Sequence, residues 1–199
     1  MYKTKLCVAC VLFLVCVLFP VQGRADAILS VSAPASVSVG DTFTVEVNVF
    51  QATDLYGFQF DLGFDPTILQ ATGFTEGTFL SSIGSTFFFG GSIDNTAGSV
   101  AFNTDTLLGA PNGGNGNGLL MSFDFTAIAA GTSPLMISNV VLADSLGNSL
   151  NSSVANGSVD VSASENGGGG GGVPVPEPSS LAMMMGGLAF MGLVTLRKR

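Results

Sequence analysis

The chain has 199 residues, a net charge of −8 at pH 7, 14 acids, 6 Lys or Arg and no His. No cation occurs between Arg24 and Arg197, so nothing in that stretch can replace the counterions of a nucleic acid, and that partner is excluded. With no His, and with Cys7, Cys10 and Cys16 as the only cysteines, the usual nucleophile–base pairs of covalent catalysis are missing as well.

The first residues read as an export leader. Lys3 and Lys5 form a positive start, residues 6–19 are apolar, and Ala25-Asp26-Ala27 is a small-x-small cleavage site. Residues 1–27 are therefore expected to be removed, leaving a mature chain that begins at Ile28, with Gly23 as a second cut. Val15 stands before Cys16 where a lipoprotein needs a small residue. All three cysteines leave with the leader, so the exported domain has no disulfide and depends on its core.

Residues 28–164 carry a period of two. Phe43, Val45, Val47 and Val49 alternate with Thr44, Glu46 and Asn48. Tyr56, Phe58, Phe60, Leu62 and Phe64 alternate with Gly57, Gln59, Asp61 and Gly63. Val100 and Phe102 flank Ala101, and Leu119, Met121, Phe123 and Phe125 alternate with Leu120, Ser122, Asp124 and Thr126. Such alternation predicts strands with one face in the core, the even-numbered side chains of 56–64 pointing inward. Turn residues separate the runs at Val39-Gly40-Asp41, Asp94-Asn95-Thr96-Ala97-Gly98, Ala130-Gly131-Thr132 and Leu146-Gly147-Asn148. Many short strands with regular turns predict an all-β antiparallel sandwich in a single domain.

Four segments carry a family resemblance. They are Ser36-Val37-Ser38-Val39-Gly40-Asp41-Thr42-Phe43-Thr44-Val45, then Gly57-Phe58-Gln59-Phe60-Asp61-Leu62-Gly63-Phe64-Asp65-Pro66-Thr67-Ile68-Leu69. Gly118-Leu119-Leu120-Met121-Ser122-Phe123-Asp124-Phe125 follows, and Asn139-Val140-Val141-Leu142-Ala143-Asp144-Ser145-Leu146-Gly147-Asn148 closes the set. In this order they resemble the cohesin family, jelly-roll-type β-sandwich modules that bind dockerins in cellulosomes. The resemblance implies that the outward side of the third family strand meets a partner. Here that side presents Gly57, Gln59 and Asp61; at the first two of these, family members often carry Asn and Asp, and neither residue here is charged.

The acids admit two readings. Self-repulsion for solubility accounts for most of them. A sharper alternative is a weak calcium site in which Asp94, with Asn95 and Thr96, joins Asp105; no other cofactor is expected. Asp65 before Pro66, and Asp144 before Ser-Leu-Gly-Asn, read as turn residues that bond downstream amides.

The run Pro111-Asn112-Gly113-Gly114-Asn115-Gly116-Asn117-Gly118 reads as an exposed, mobile loop between strands. Residues 165–174, with six consecutive glycines, read as a flexible linker. Then come Pro176-Glu177-Pro178, an apolar run over 181–196 and the basic cluster Arg197-Lys198-Arg199. A helix over 179–196 would cross most of a bilayer's ~30 Å hydrocarbon core, with the cations held on the cytoplasmic side. This ordered tail, residues 175–199, resembles the PEP-CTERM sorting signal of Gram-negative bacteria. That resemblance implies transient anchoring in the inner membrane, recognition and removal by an exosortase, and release to the cell surface or extracellular matrix.

Paired carboxylates remain for glycoside hydrolysis, but Asp61 and Asp65 have no Trp near them and only core Phe for a platform, so no catalysis is expected. Two roles follow. One is a surface or matrix binding module that holds a protein partner. The other is a structural component of an exopolysaccharide or biofilm matrix without a specific dockerin-type partner.

Overall fold

The computed structural model describes residues 26–164. The leader residues 1–25, including Ala25, the linker, the sorting motif, the basic cluster and the expected membrane helix lie outside the described residues. Among the described residues no helix is long and apolar enough to cross a membrane.

The period-two segments form strands that stack in two sheets. The first half of the domain supplies β1 (Ala27–Ser32), β2 (Ser36–Ser38), β3 (Thr42–Leu55), β4 (Gly57–Gly63), β5 (Leu69–Glu76) and β6 (Thr86–Phe89). The second half supplies β7 (Ser92–Asp94), β8 (Ser99–Leu107), β9 (Gly114–Ala127), β10 (Gly131–Ala143), β11 (Ser152–Ala155) and β12 (Gly157–Ser162). One sheet runs β11-β1-β3-β9-β5; the other runs β2-β12-β10-β4-β8-β6, with β7 also on β8. A single helical turn, α1 (Thr78–Ser81), buries Phe79 and Leu80.

Two edge pairs depart from the antiparallel expectation. The pairs β1–β11 and β2–β12 are parallel, because the first and last segments of the domain run side by side along the sheet edges. The rest of the ladder is antiparallel.

The core forms where the inner faces meet. Phe58, Phe60 and Leu62 of β4 are buried, as their even phase predicts. Phe60 meets Phe123 of β9 edge-on at 6.2 Å between ring centres, and Phe64 meets Phe125 at 5.1 Å. Such edge contacts are worth roughly 0.5–1.5 kcal/mol beyond the area the rings bury.

At the Asp65-Pro66 corner, the Asp65 carboxylate accepts from the Thr67 amide at 2.8 Å and the Thr67 hydroxyl at 2.6 Å. In the Asp144 turn, Oδ1 accepts from the amides of Leu146 and Asn148. Both acids take the turn positions their sequence contexts predict.

Three expectations are overturned. At Leu119-Leu120 a register shift against Val47-Asn48 leaves Leu119 half-buried and turns Leu120 into the core. The glycine-rich run is no loop, because β9 starts at Gly114 and pairs along β3 through Gly114, Gly116 and Gly118. An added Cβ at Gly114 or Gly118 would lie 2.7 or 2.6 Å from the Phe79 ring, so glycine lets α1 press onto the strand. The asparagines between them bond across to β3. Asn117 accepts from the Gln51 amide at 2.9 Å and Asn115 from the Asp54 amide at 3.0 Å. Gln51 and Asp54 are both left-handed, at φ 56° and 57°, so each side-chain bond satisfies an amide that a bulge has turned from the ladder. The remaining reversal is Phe102, which the alternation placed inward beside Val100. It is 61% exposed, for a reason that lies in the site.

Candidate functional site

The outer face of β10-β4-β8-β6 is built in cross-strand rows. One row reads Ala143, Gly57, Thr106, Phe87, and the next reads Val141, Gln59, Thr104, Phe89. Phe87 and Phe89 are 60% and 54% exposed, and Val141 is also exposed. Gly57 leaves a hollow of about 230 Å³ lined by Gln59, Thr104, Thr106, Val141 and Ala143. A Cβ at Gly57 would come within 3.0 Å of Thr106 Oγ1, so even alanine would crowd this floor.

Asp61 stands one row further along β4, and it belongs to the structure of the face. Its Oδ1 accepts from the Phe102 amide of β8 at 2.7 Å, and its Oδ2 accepts from Asn139 Nδ2 of β10 at 2.6 Å. Both neighbours are left-handed, at φ 60° and 51°, and both ladders shift register at this level. A left-handed non-glycine residue costs roughly 1–2 kcal/mol, least for Asn and more for a bulky ring. One carboxylate thus holds a bulge on each flank of the central strand. The bulge on β8 swings Phe102 outward, which reverses the expected phase.

Beyond that bulge, inward residues of β8 are Asn103, Asp105 and Leu107. Asp105 is only 1% exposed, and neither its Oδ1 nor Asn103 Oδ1 has a hydrogen-bond partner among the described residues. Asp105 faces Glu76 of β5, which accepts from the Thr86 hydroxyl of β6 at 2.6 Å. Burial first, then the neighbouring Glu76 charge, pushes the Asp105 carboxyl up to about 6.

Asp94 lies elsewhere. Its Oδ1 accepts from the amides of Thr96 and Ala97, and those bonds hold its carboxyl below the usual range. Asp94 pairs with Ser99, six residues before Asp105 on β8, a separation of ~20 Å at ~3.3 Å per residue. These carboxylates cannot share one calcium ion, and the pairing read from the sequence is corrected: one acid caps a surface turn while the other lies inside the sandwich. Among the described residues no group of three or more acids could hold a metal.

At the other end of the chain, Ala27 of the expected cleavage site opens β1. It is buried, and its amide donates to Asn151 O at 3.1 Å. Sequence reasoning missed Phe87, Phe89, Thr104 and Thr106 as members of the face. The run Phe87-Phe88-Phe89 was the available signal, since in a strand neighbouring rings must face opposite ways, and here Phe88 turns inward between two exposed rings.

An all-β sandwich with an aromatic, charge-poor outer sheet has the form of a binding module. The Cohesin domain model matches residues 29–161, well over half of the chain, and the chain belongs to that family. The family's fold is a non-catalytic, protein-binding one. The PEP-CTERM protein-sorting motif matches residues 174–199 and marks an exported protein sorted at the membrane. No curated protein matches.

Among solved structures, the chain is similar to a non-cellulosomal cohesin from the archaeon Archaeoglobus fulgidus. The two share 17% identity at a TM-score of 0.57, over 71% of this chain and 94% of that one. A type II cohesin domain from the cellulosome of Acetivibrio cellulolyticus is similar at 18% identity and a TM-score of 0.55, over 68% and 95%. A type I cohesin in a cohesin–dockerin complex from Clostridium thermocellum is similar at 11% identity and 0.56, over 71% and 98%. At these identities the likeness establishes the fold alone.

Proposed function

We propose that this exported cohesin domain holds a protein partner on the outer face of β10-β4-β8-β6. The observation that carries this reading is the pair of rows ending in Phe87 and Phe89, which leave large apolar rings in water beside a glycine-floored hollow. Exposed contiguous apolar surface of this kind marks interaction sites. Polysaccharide fits the face less well. The face offers sugar hydroxyls Gln59, Thr104 and Thr106, but its one carboxylate, Asp61, is committed to Phe102 and Asn139, and its exposed rings are all Phe. A second copy of the domain also fits poorly, since every charged side chain from Asp26 to Asp160 is acidic. The complementary partner is a protein surface with apolar groups ringed by Lys or Arg.

In the same reading an exosortase recognises Pro176, Glu177 and Pro178 and removes the tail with Arg197, Lys198 and Arg199, placing the domain at the cell surface or in the matrix. The matrix role is the second reading, favoured by the sorting motif and the uniformly acidic surface. Full-length protein used as bait discriminates the two. One saturable protein partner that is lost on Phe89→Ser supports the binding module. Bulk retention by native polysaccharide, indifferent to Phe89→Ser, supports the matrix role and removes the first.

A further inference from the structure

We propose that Phe102 is the anchor of this face and that Asp61 is its positioning residue, inserting the ring into an apolar pocket of the protein partner. The inference rests on the binding-face reading and names the residues that set its specificity. Phe102 combines three properties found together at no other described position: a large ring, 61% exposure and a left-handed backbone at φ 60°. Glycine or asparagine would hold that backbone at less cost, so the ring itself is what the position retains. Bulges re-aim side chains, and this one turns a ring to solvent beside the rows of Gln59, Thr104 and Phe89.

The bulge is not left to its own strand. Asp61 grips the Phe102 amide through one oxygen and Asn139 through the other, so a change on either flank of β4 reaches the ring. A ring fixed in the free state loses little freedom on docking, which favours an anchor role. The absence of cations from the domain directs the ring toward a partner whose pocket is rimmed by Lys or Arg.

The test uses immobilised full-length protein in mild detergent and, as probe, a random peptide library displayed on phage. Peptides that Gln59→Arg abolishes are taken as face binders. Phe102→Ala should weaken them about tenfold or more, as expected for an aromatic anchor. Asp61→Ala should weaken them comparably, because it removes both acceptors, whereas Asp61→Asn, which still accepts from the Phe102 amide, should weaken them less. The amide proton resonance of Phe102 should move further in Asp61→Ala than in Asp61→Asn. Val161→Ala, on β12 away from β8, should lower the melting temperature and leave peptide affinity unchanged. Face binders indifferent to Phe102→Ala would overturn the anchor and keep the face. Sensitivity to Phe102→Ala without sensitivity to Asp61→Ala would overturn the positioning role. If no peptide is selected, or none responds to Gln59→Arg, both readings fall.

Discussion

Removing the buried charge at Asp105 should change how stability depends on pH. The carboxyl titrates at about 6 in the fold, against about 3.9 in an unfolded chain. The folded state therefore binds the proton more tightly, and stability must fall as pH rises between these values. The contribution is fully present below about pH 4 and fully lost above about pH 6. At ~1.4 kcal/mol for each tenfold change in proton affinity, the whole contribution is about 3 kcal/mol, and roughly half of it falls between pH 5 and pH 8. Asp54, Asp65 and Asp94 are displaced the other way, so their losses come in more acid solution and leave this window clear. Asp105→Asn keeps the shape, removes the charge and can still donate to Glu76. Urea titrations followed by far-ultraviolet circular dichroism at about pH 5, 6, 7 and 8 would measure the effect. Wild type should lose about 1.5 kcal/mol across the series, and Asp105→Asn should flatten the slope and be the more stable protein at the alkaline end. Identical slopes in the two proteins, or a wild type that gains stability as pH rises, would refute the reasoning.

Other outcomes can be read with simple measurements. Phe60→Ala should cost roughly 3–5 kcal/mol in urea, against about 0.5 kcal/mol or less for Gln59→Ala. Gly77→Ala should cost roughly 1–3 kcal/mol or more, because its Cβ would lie 2.2 Å from the Leu119 carbonyl oxygen on rigid backbone. A mature chain that starts at Ile28 should be about 1 kcal/mol less stable than one that keeps Asp26 and Ala27, since the bond to Asn151 is lost; paired N-terminal variants compared by unfolding would measure this. Melts in millimolar calcium and in chelator should superimpose, and a calcium-specific rise would show a site outside the Asp94–Asp105 pair. Glu177→Ala should leave the chain in the membrane fraction, and mass spectrometry of released wild-type protein should find no peptide beyond residue 178.

Period two was enough to find β3 and β4 and to phase their side chains, because both strands have one face fully in the core. It failed at Phe102 because the phase there depends on Asp61, which lies 41 positions away in sequence and acts through a bulge. The same bulge sets Asp105 inward. A run such as Asn103-Thr104-Asp105-Thr106 has no apolar member to show its phase, so a surface acid was the natural reading. The glycines of 113–118 misled for another reason. Glycine signals a loop when nothing covers it, and here Phe79, from a helix of one turn, covers Gly114 and Gly118. Neither the cover nor the bonds from Asn115 and Asn117 to β3 leave a local trace.

The placement of β12 has a mechanical consequence. The domain continues toward its tail from Ser162, the end of β12, and β12 is hydrogen-bonded to β10 from Gly131–Val161 to Leu135–Gly157. Those bonds lie across the strand axis, so a pull directed along β12 loads them together, as in shear, rather than opening them one at a time. Strand β10 is also a wall of the outer aromatic face. Tension applied between the C-terminal end of β12 and a load on that face would therefore travel through one sheet, strand to neighbouring strand, without crossing the hydrophobic layer between the sheets. Within the domain, β12 is placed to bear load along its own axis.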